Sequence, residues 1–285
     1  MEKLDRLKEV LSIPTYYDEE SRMIEYLKKV LDEKGYTYKV DKLGNIYVTK
    51  GNAKRYPCFV SHTDTVHQIN ENLEVIEYEN LLEKISFARF PEDFILTGID
   101  SETGQPSGIG GDDKCGVFLC LEMLDELEVV KVAFFVGEEY GMKGSKEACP
   151  EFFKDVKYSI QFDSPYGDTM SLTLCGKPLF NVDSEFGETV TPILKERGIT
   201  KWQAHPYTDT LQLMEKFDFP CLNIAAGYHR YHTPNEYVEV GDVINAFITA
   251  CMLVEDLDKD FYEVNRDSVV KDLHKINSKQ NIFSS

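Results

Sequence analysis

Five short stretches of the 285-residue chain carry His, Asp and Glu in patterns that could do chemistry. They read His62-Thr-Asp64, Gly110-Gly-Asp112-Asp113-Lys114, Gly137-Glu138-Glu139-Tyr140-Gly141, Phe162-Asp163-Ser164 and His229-Arg-Tyr-His232-Thr-Pro-Asn-Glu236. Two imidazoles and three carboxylates suffice for a dinuclear zinc site, in which each ion takes one His and one terminal carboxylate and a third carboxylate is shared. A fourth carboxylate outside the ligand set can act as general base on a water. In the first stretch an apolar run, Cys58-Phe59-Val60, leads into His62, and Asp64 follows two residues on. Alternate residues of a strand share a face, so a buried strand ending here delivers an imidazole with a carboxylate that can fix its tautomer. Other chemistries find no support. Gly108-Ile-Gly110-Gly111 precedes a helix but lacks the Walker Lys-Ser/Thr and the dinucleotide spacing. There is no Gly-x-Ser-x-Gly elbow.

The elements that must position these residues can be read from periodicity. Leu4, Leu7, Val10 and Leu11 recur at helical spacing up to Pro14. A second helix opens near Asp18, with Met23, Ile24, Leu27, Val30 and Leu31 on one face and Gly35 at its end. Residues 36–40 and 45–48 read as a hairpin about Leu43-Gly44-Asn45, and the strand carrying His62 follows. Residues 68–98 give no clear period apart from a strand at 94–97, and 98–111 has the composition of a loop. A nearly all-apolar helix runs from Asp112 to about Leu127. Strands are predicted at 129–136, 158–162, 170–174 and 220–225, and helices at 188–197, 208–217 and 243–257. The repeated order of strand, polar loop and helix predicts an α/β fold with a mixed, largely parallel central sheet and helices on both faces. Ligands in such folds collect beyond the carboxyl ends of the strands, where four of the five stretches fall.

Bulk properties exclude several classes. Asp and Glu number 50 against 31 Lys and Arg, a formal net charge of −19. Such a field disfavours nucleic acid and anionic membrane as partners. No apolar run approaches the roughly 18 residues of a membrane span. The start, Met-Glu-Lys-Leu-Asp-Arg, is not a signal peptide. The seven Cys show no Cys-x-x-Cys pair and sit mostly in apolar runs, as buried thiols do. A cytoplasmic protein is expected.

The motifs Ser-His-Thr-Asp-Thr-Val, Gly-Asp-Asp-Lys-Cys-Gly, Gly-Glu-Glu-Tyr-Gly, Asp-Ser and His-Thr-Pro-Asn-Glu stand in that order between His62 and Glu236. In this the chain resembles the co-catalytic dinuclear zinc exopeptidases, which include peptidase T, acetylornithine deacetylase and the related zinc aminopeptidases. The resemblance implies two Zn2+ ions, with Co2+ or Mn2+ as substitutes. It implies that His62 and Asp163 bind one zinc, Glu139 and His232 the other, and that Asp112 bridges them. Asp64 would orient His62 and Glu138 would be the general base for a bridging hydroxide that attacks an amide carbonyl. The implied activity is exopeptidase, an aminopeptidase on short peptides. N-acyl amino acid deacylation is the alternative among enzymes, and a non-catalytic pseudo-peptidase that binds metal and peptide the alternative from another class.

Lidded relatives insert a separate domain of about a hundred residues or more, often between the equivalents of Asp163 and His232. Here those two stand 69 positions apart, and Asp64 and Asp112 stand 48 apart. The expectation is a lidless catalytic domain over 1–257 and a polar helix or tail over 258–285. Contacts that a lid would supply must then come from elsewhere, and His205, Tyr207, Asp209, His229, Arg230 and Tyr231 are the candidates. Asp112 or Asp113 is expected to cap the following helix. His67 and His274 are expected to be structural or at the surface, and Glu236 structural or hydrogen-bonded to a ligand. Oligomeric state is left open.

Overall fold

The chain begins with two helices, α1 (Glu2–Ser12) and α2 (Ser21–Glu33). In this computed structural model, residues 2–79, 94–171, 173–174, 177–202 and 208–264 are described. Met23, Leu27 and Leu31 recur every four residues on α2 and are fully buried. Each such side chain contributes about 1.5–3 kcal/mol, which fixes that helix face to the core. The hairpin of β1 (Tyr38–Val40) and β2 (Ile46–Lys50) follows, in the register Tyr38↔Val48. Its turn is stapled by Asp41, whose Oδ1 accepts from the backbone N–H groups of Leu43, Gly44 and Asn45.

Three strands form the centre. They are β3 (Tyr56–His62), and after β4 (Leu73–Glu79), β5 (Phe94–Asp100), β6 (Pro106–Ser107) and α3 (Gly111–Glu126), β7 (Val130–Phe135). Two short helices, α4 (Lys143–Lys146) and α5 (Pro150–Phe153), lead to β8 (Val156–Ser164). Every residue of β3 and β7 is buried, as expected of parallel strands covered on both faces. β3 pairs in parallel with β7 on one side and with β8 on the other, with His62 opposite Phe135 and Val60 opposite Gln161. The carboxyl ends of β7, β3 and β8 therefore lie side by side.

The remaining elements extend this core. They are β9 (Thr169–Ser171), β10 (Thr173–Leu174), β11 (Lys177–Pro178), α6 (Glu185–Glu196), β12 (Lys201–Trp202), α7 (Asp209–Lys216) and β13 (Cys221–Ala225), then β14 (Tyr228–His229), β15 (Tyr237–Glu239) and α8 (Val240–Asp256). The main sheet has the order β1-β2-β7-β3-β8-β13-β9-β12. It is parallel at its centre and antiparallel at β1–β2, β2–β7 and β13–β9. α3 packs on β3, β7 and β8, with α1 and α8 against it, while α7 packs on β3, β8 and β13 with α4 beside it. This is the α/β arrangement predicted.

A second, smaller sheet has the order β14-β15-β5-β4, with β6 on β5. The predicted loop at 98–111 is thus partly strand. Gly98 lies between β4 and β6, where a Cβ would sit 2.4 Å from the Ser107 carbonyl, so a bare backbone is what allows the close pairing. Among the described residues no separate lid domain occurs, since the stretch after Asp163 builds β9, β12, a small hairpin and α6. Residues 258–264 follow α8 without regular structure, and the predicted tail beyond them, with His274, lies outside the described residues. No helix among the described residues is long and apolar enough to cross a membrane.

Candidate metal centre

His62 ends β3, Asp163 stands one residue before the end of β8, and Glu138 and Glu139 follow β7. Asp112 opens α3, and His232 lies between β14 and β15. The side chains of these elements meet. Asp112 sits between the two imidazoles, with Oδ1 3.3 Å from His62 Nε2 and Oδ2 3.3 Å from His232 Nε2. Asp163 Oδ1 is 3.8 Å from His62 Nε2, and Glu139 Oε1 is 2.9 Å from His232 Nε2. His62, Asp112 and Glu139 each offer a ligand atom within 4.8 Å of the others.

His62 Nε2 and Glu138 Oε1 are among the buried side-chain atoms that lack a hydrogen-bond partner. A buried polar atom without a partner costs about 1–3 kcal/mol, so both positions call for an occupant. His62 Nδ1 lies 3.1 Å from the carbonyl of Asp64 and 3.3 Å from its Oδ1. These partners place the ring hydrogen on Nδ1 and leave the Nε2 lone pair for a metal. Imidazole and carboxylate donors with one carboxylate between the two imidazoles fit a pair of Zn2+ ions, and equally Co2+ or Mn2+.

Electrostatics agree with that fit. Burial first, then the charge of Asp112, pushes the Asp163 carboxyl up to about 8, against the pull of His62. Burial also raises Glu139, with Asp112 adding to it, and raises Glu138 well above the usual range. Asp112 behaves oppositely: burial works against its charge, yet His232 and His62 hold it well below the carboxylate range. The hydrogen bonds to Asp112 and Glu139 push His232 up to about 10. Crowded carboxylates that resist ionisation, with His232 holding its proton beside them, describe a centre short of positive charge, which divalent ions would supply.

Supporting residues fix these side chains from behind. Asp64 Oδ1 and Oδ2 accept from the backbone N–H groups of Glu138 and Glu139 at 2.9 and 3.0 Å. Asp113 Oδ2 accepts from the His62 N–H at 3.1 Å, and its Oδ1 from the Gly116 N–H at 3.0 Å, so it is Asp113 that caps the first turn of α3. Lys114 donates to the carbonyls of Leu11 and Ile109 and ties the start of α3 to the end of α1.

Four further residues were not singled out by sequence. Gln161 stands two residues before Asp163 on the same strand face; its Nε2 is 3.2 Å from Asp163 Oδ2, and its Oε1 accepts from the Thr210 N–H. Asn223 on β13 brackets the backbone of Asp163, and Tyr228 donates its OH to Asp163 Oδ1 at 3.2 Å. Glu20 precedes α2 and accepts from Thr63 Oγ1 and from the Gly137 backbone. Glu236, expected to be structural or hydrogen-bonded to a ligand, is fully buried and holds the backbone at the start of α3. Its Oε1 accepts from the Asp112 N–H at 3.1 Å and its Oε2 from the Gly110 N–H at 2.8 Å. His67 Nε2 lies 2.7 Å from that same Oε2, in a slot that a side chain at Gly108 would fill.

The candidate substrate contacts are dispersed. Asp209 opens α7 and is fully buried, 3.5 Å from Gln161 Nε2, where burial pushes its carboxyl up to about 7. His229 faces Asp242, Arg230 is exposed, and Tyr231 packs edge-on to His232. His205 and Tyr207 lie outside the described residues.

Glu20 gives a pH prediction. Burial, then the charge of Asp64, pushes its carboxyl up to about 7 from an ordinary 4.5. The unfolded chain ionises this group first, so its contribution to stability falls as pH rises from about 4.5 to about 7. Glu20→Gln mimics the neutral acid and should remove that loss, gaining on the parent by about 2–3 kcal/mol between pH 5 and pH 8. Urea unfolding of both proteins at the two pH values measures it; an unchanged difference counts against the assignment.

No protein-family model matches this sequence, and no curated protein was found similar to it. Solved structures do match over nearly the whole chain. Aminopeptidase PepT from Bacillus cereus superposes with a TM-score of 0.68 at 15% identity, covering 90% of this chain and 98% of that one. A tripeptidase from Staphylococcus aureus gives 0.65 at 15% identity, with 89% and 97% covered. An aminopeptidase from the archaeon Desulfurococcus kamchatkensis gives 0.63 at 17%, with 91% and 96% covered. The chain thus shares the α/β fold of these peptidases.

Proposed function

We propose that this protein is a dinuclear zinc exopeptidase, an aminopeptidase that hydrolyses the amide bond of short peptides. The observation that carries the reading is Asp112 lying between His62 and His232, one oxygen 3.3 Å from each Nε2. His62, Asp112 and Asp163 would hold one ion, and Asp112, Glu139 and His232 the other. When bound, such ions supply Lewis acidity that polarises the scissile carbonyl and makes water acidic enough to lose a proton near neutral pH.

The chain's own groups do the rest. Glu138 presents a buried Oε1 without a partner, fit to take a proton from the attacking water and return it to the leaving amine nitrogen. Its backbone is anchored on Asp64, which also orients His62, so base and ligand share one support. PepT and the Staphylococcus aureus protein, which share the fold, are described as an aminopeptidase and a tripeptidase.

Removal of metal by a chelator should abolish hydrolysis of di- and tripeptides, and Zn2+ or Co2+ should restore it. The same panel with N-acetylated amino acids separates an exopeptidase from a deacylase. A metal-replete preparation that leaves every member of both sets intact, while binding peptide by calorimetry, would replace this reading with a non-catalytic binding protein.

A further inference from the structure

His229, Glu239 and Asp242 form a second cluster of imidazole and carboxylates that shares no residue with the first. His229 ends β14, Glu239 ends β15, and Asp242 is in the first turn of α8. His229 Nε2 lies 3.2 Å from Asp242 Oδ2 and 3.7 Å from Glu239 Oε1. His232 faces Glu139 and Asp112 in the same manner, at 2.9 and 3.3 Å.

The cluster is held in place from several directions. Tyr237 stacks on the His229 ring at 4.8 Å and 7°, and Tyr166 meets it edge-on at 5.4 Å. The imidazole is therefore fixed with Nε2 toward the two carboxylates. Glu239 stands at the N-cap position of α8, and its Oε1 faces His229 Nε2. The Asp242 carboxylate is lodged against Gly167, where a Cβ would lie 1.9 Å from Oδ1, so the backbone there is bare to admit it.

We infer that this cluster binds one divalent transition-metal ion, of the zinc or manganese class, in addition to any at the main centre. One imidazole with two carboxylates is a donor set for such ions, while Mg2+ and Ca2+ favour all-oxygen surroundings. All three side chains are partly exposed, so water can fill the remaining positions. An ion there would be offset by the carboxylates of Glu239 and Asp242, which both lie toward His229 Nε2. A net charge of −19 on the chain further favours cation uptake. The site joins β14 and β15, which flank His232, to the start of α8 and so braces the loop that presents His232. Tyr228, next to His229, reaches Asp163 from the same strand.

The test counts bound ions. Metal-stripped protein is dialysed against Zn2+ or Mn2+ and its metal content measured by mass spectrometry. The parent should hold one equivalent more than His229→Ala and than Glu239→Gln. Glu239→Gln changes a partly exposed side chain and serves if His229→Ala does not fold. A main-centre variant, Asp112→Asn with His232→Ala, should keep that extra equivalent, whatever becomes of the proposed catalysis. Equal stoichiometry and affinity in the parent and both cluster variants, or no ion in the main-centre variant, overturns the inference.

Discussion

Glu138→Gln is expected to lower kcat for peptide hydrolysis by about 10²–10⁴-fold, the usual contribution of a positioned general base, with metal content unchanged. The substitution keeps shape and removes only the ability to accept a proton. The position is held independently of the carboxylate, because the Glu138 N–H is bound by Asp64 Oδ1. The side chain is nearly buried, and its Oε1 has no partner, so Gln meets no contact that it must break. Burial is the main reason the carboxyl is driven well above its ordinary range, and the charges of Asp163, Asp209 and Glu139 add to it while His62 opposes them. A base so poised responds to the charge brought into the centre, which the amide of Gln does not. KM should change little, since Glu138 is not placed to bind substrate. Steady-state kinetics with metal analysis on the same preparation checks both halves. Activity within tenfold of the parent would transfer the base role to another carboxylate.

What sequence revealed of this centre was what local pattern can carry. His62, Glu138 and Asp163 follow or end apolar runs, and a strand period of two determines which way they face. The order of motifs then brought in Asp112 and His232 by resemblance. Residues acting through long-range contacts left no such trace. Glu236 reaches Gly110 across 126 positions, and His67 reaches Glu236 across 169, yet neither lies in an apolar run that would mark it. Gln161 was within reach, since it shares the face of Asp163 two residues on, but an uncharged amide in a buried strand draws no attention as a site residue. The second sheet was hidden for a related reason. β14 and β15 are two and three residues long, too short for a period, and β15 is defined by pairing with β5, with Tyr237 opposite Thr97. The stretch at 98–111 read as loop from its Gly, Ser and Pro content, whereas strand pairing on both sides of Gly98 overrides that composition.

Asp64→Asn should weaken metal binding about 10–100-fold and cost the protein about 1–3 kcal/mol of stability. Asn fills the same volume, so neither effect comes from a cavity. In the parent, Oδ1 and Oδ2 each accept a backbone N–H, from Glu138 and Glu139. Asn has one oxygen, and its NH2 group must face one of those N–H groups. Two donors then meet in a fully buried space, which orphans an amide and pushes the loop that carries both Glu138 and Glu139. The His62 ring meanwhile loses the charge that lies 3.3 Å from Nδ1, and with it much of its basicity as a ligand. Chemical denaturation of the metal-stripped protein isolates the first effect, and competition with a chelator of known affinity measures the second. The two are separable because His62 has another support, the Asp64 carbonyl 3.1 Å from Nδ1, which Asn retains. If stability falls while metal affinity holds, the carbonyl alone orients His62, and the carboxylate of Asp64 serves the Glu138–Glu139 turn rather than the imidazole.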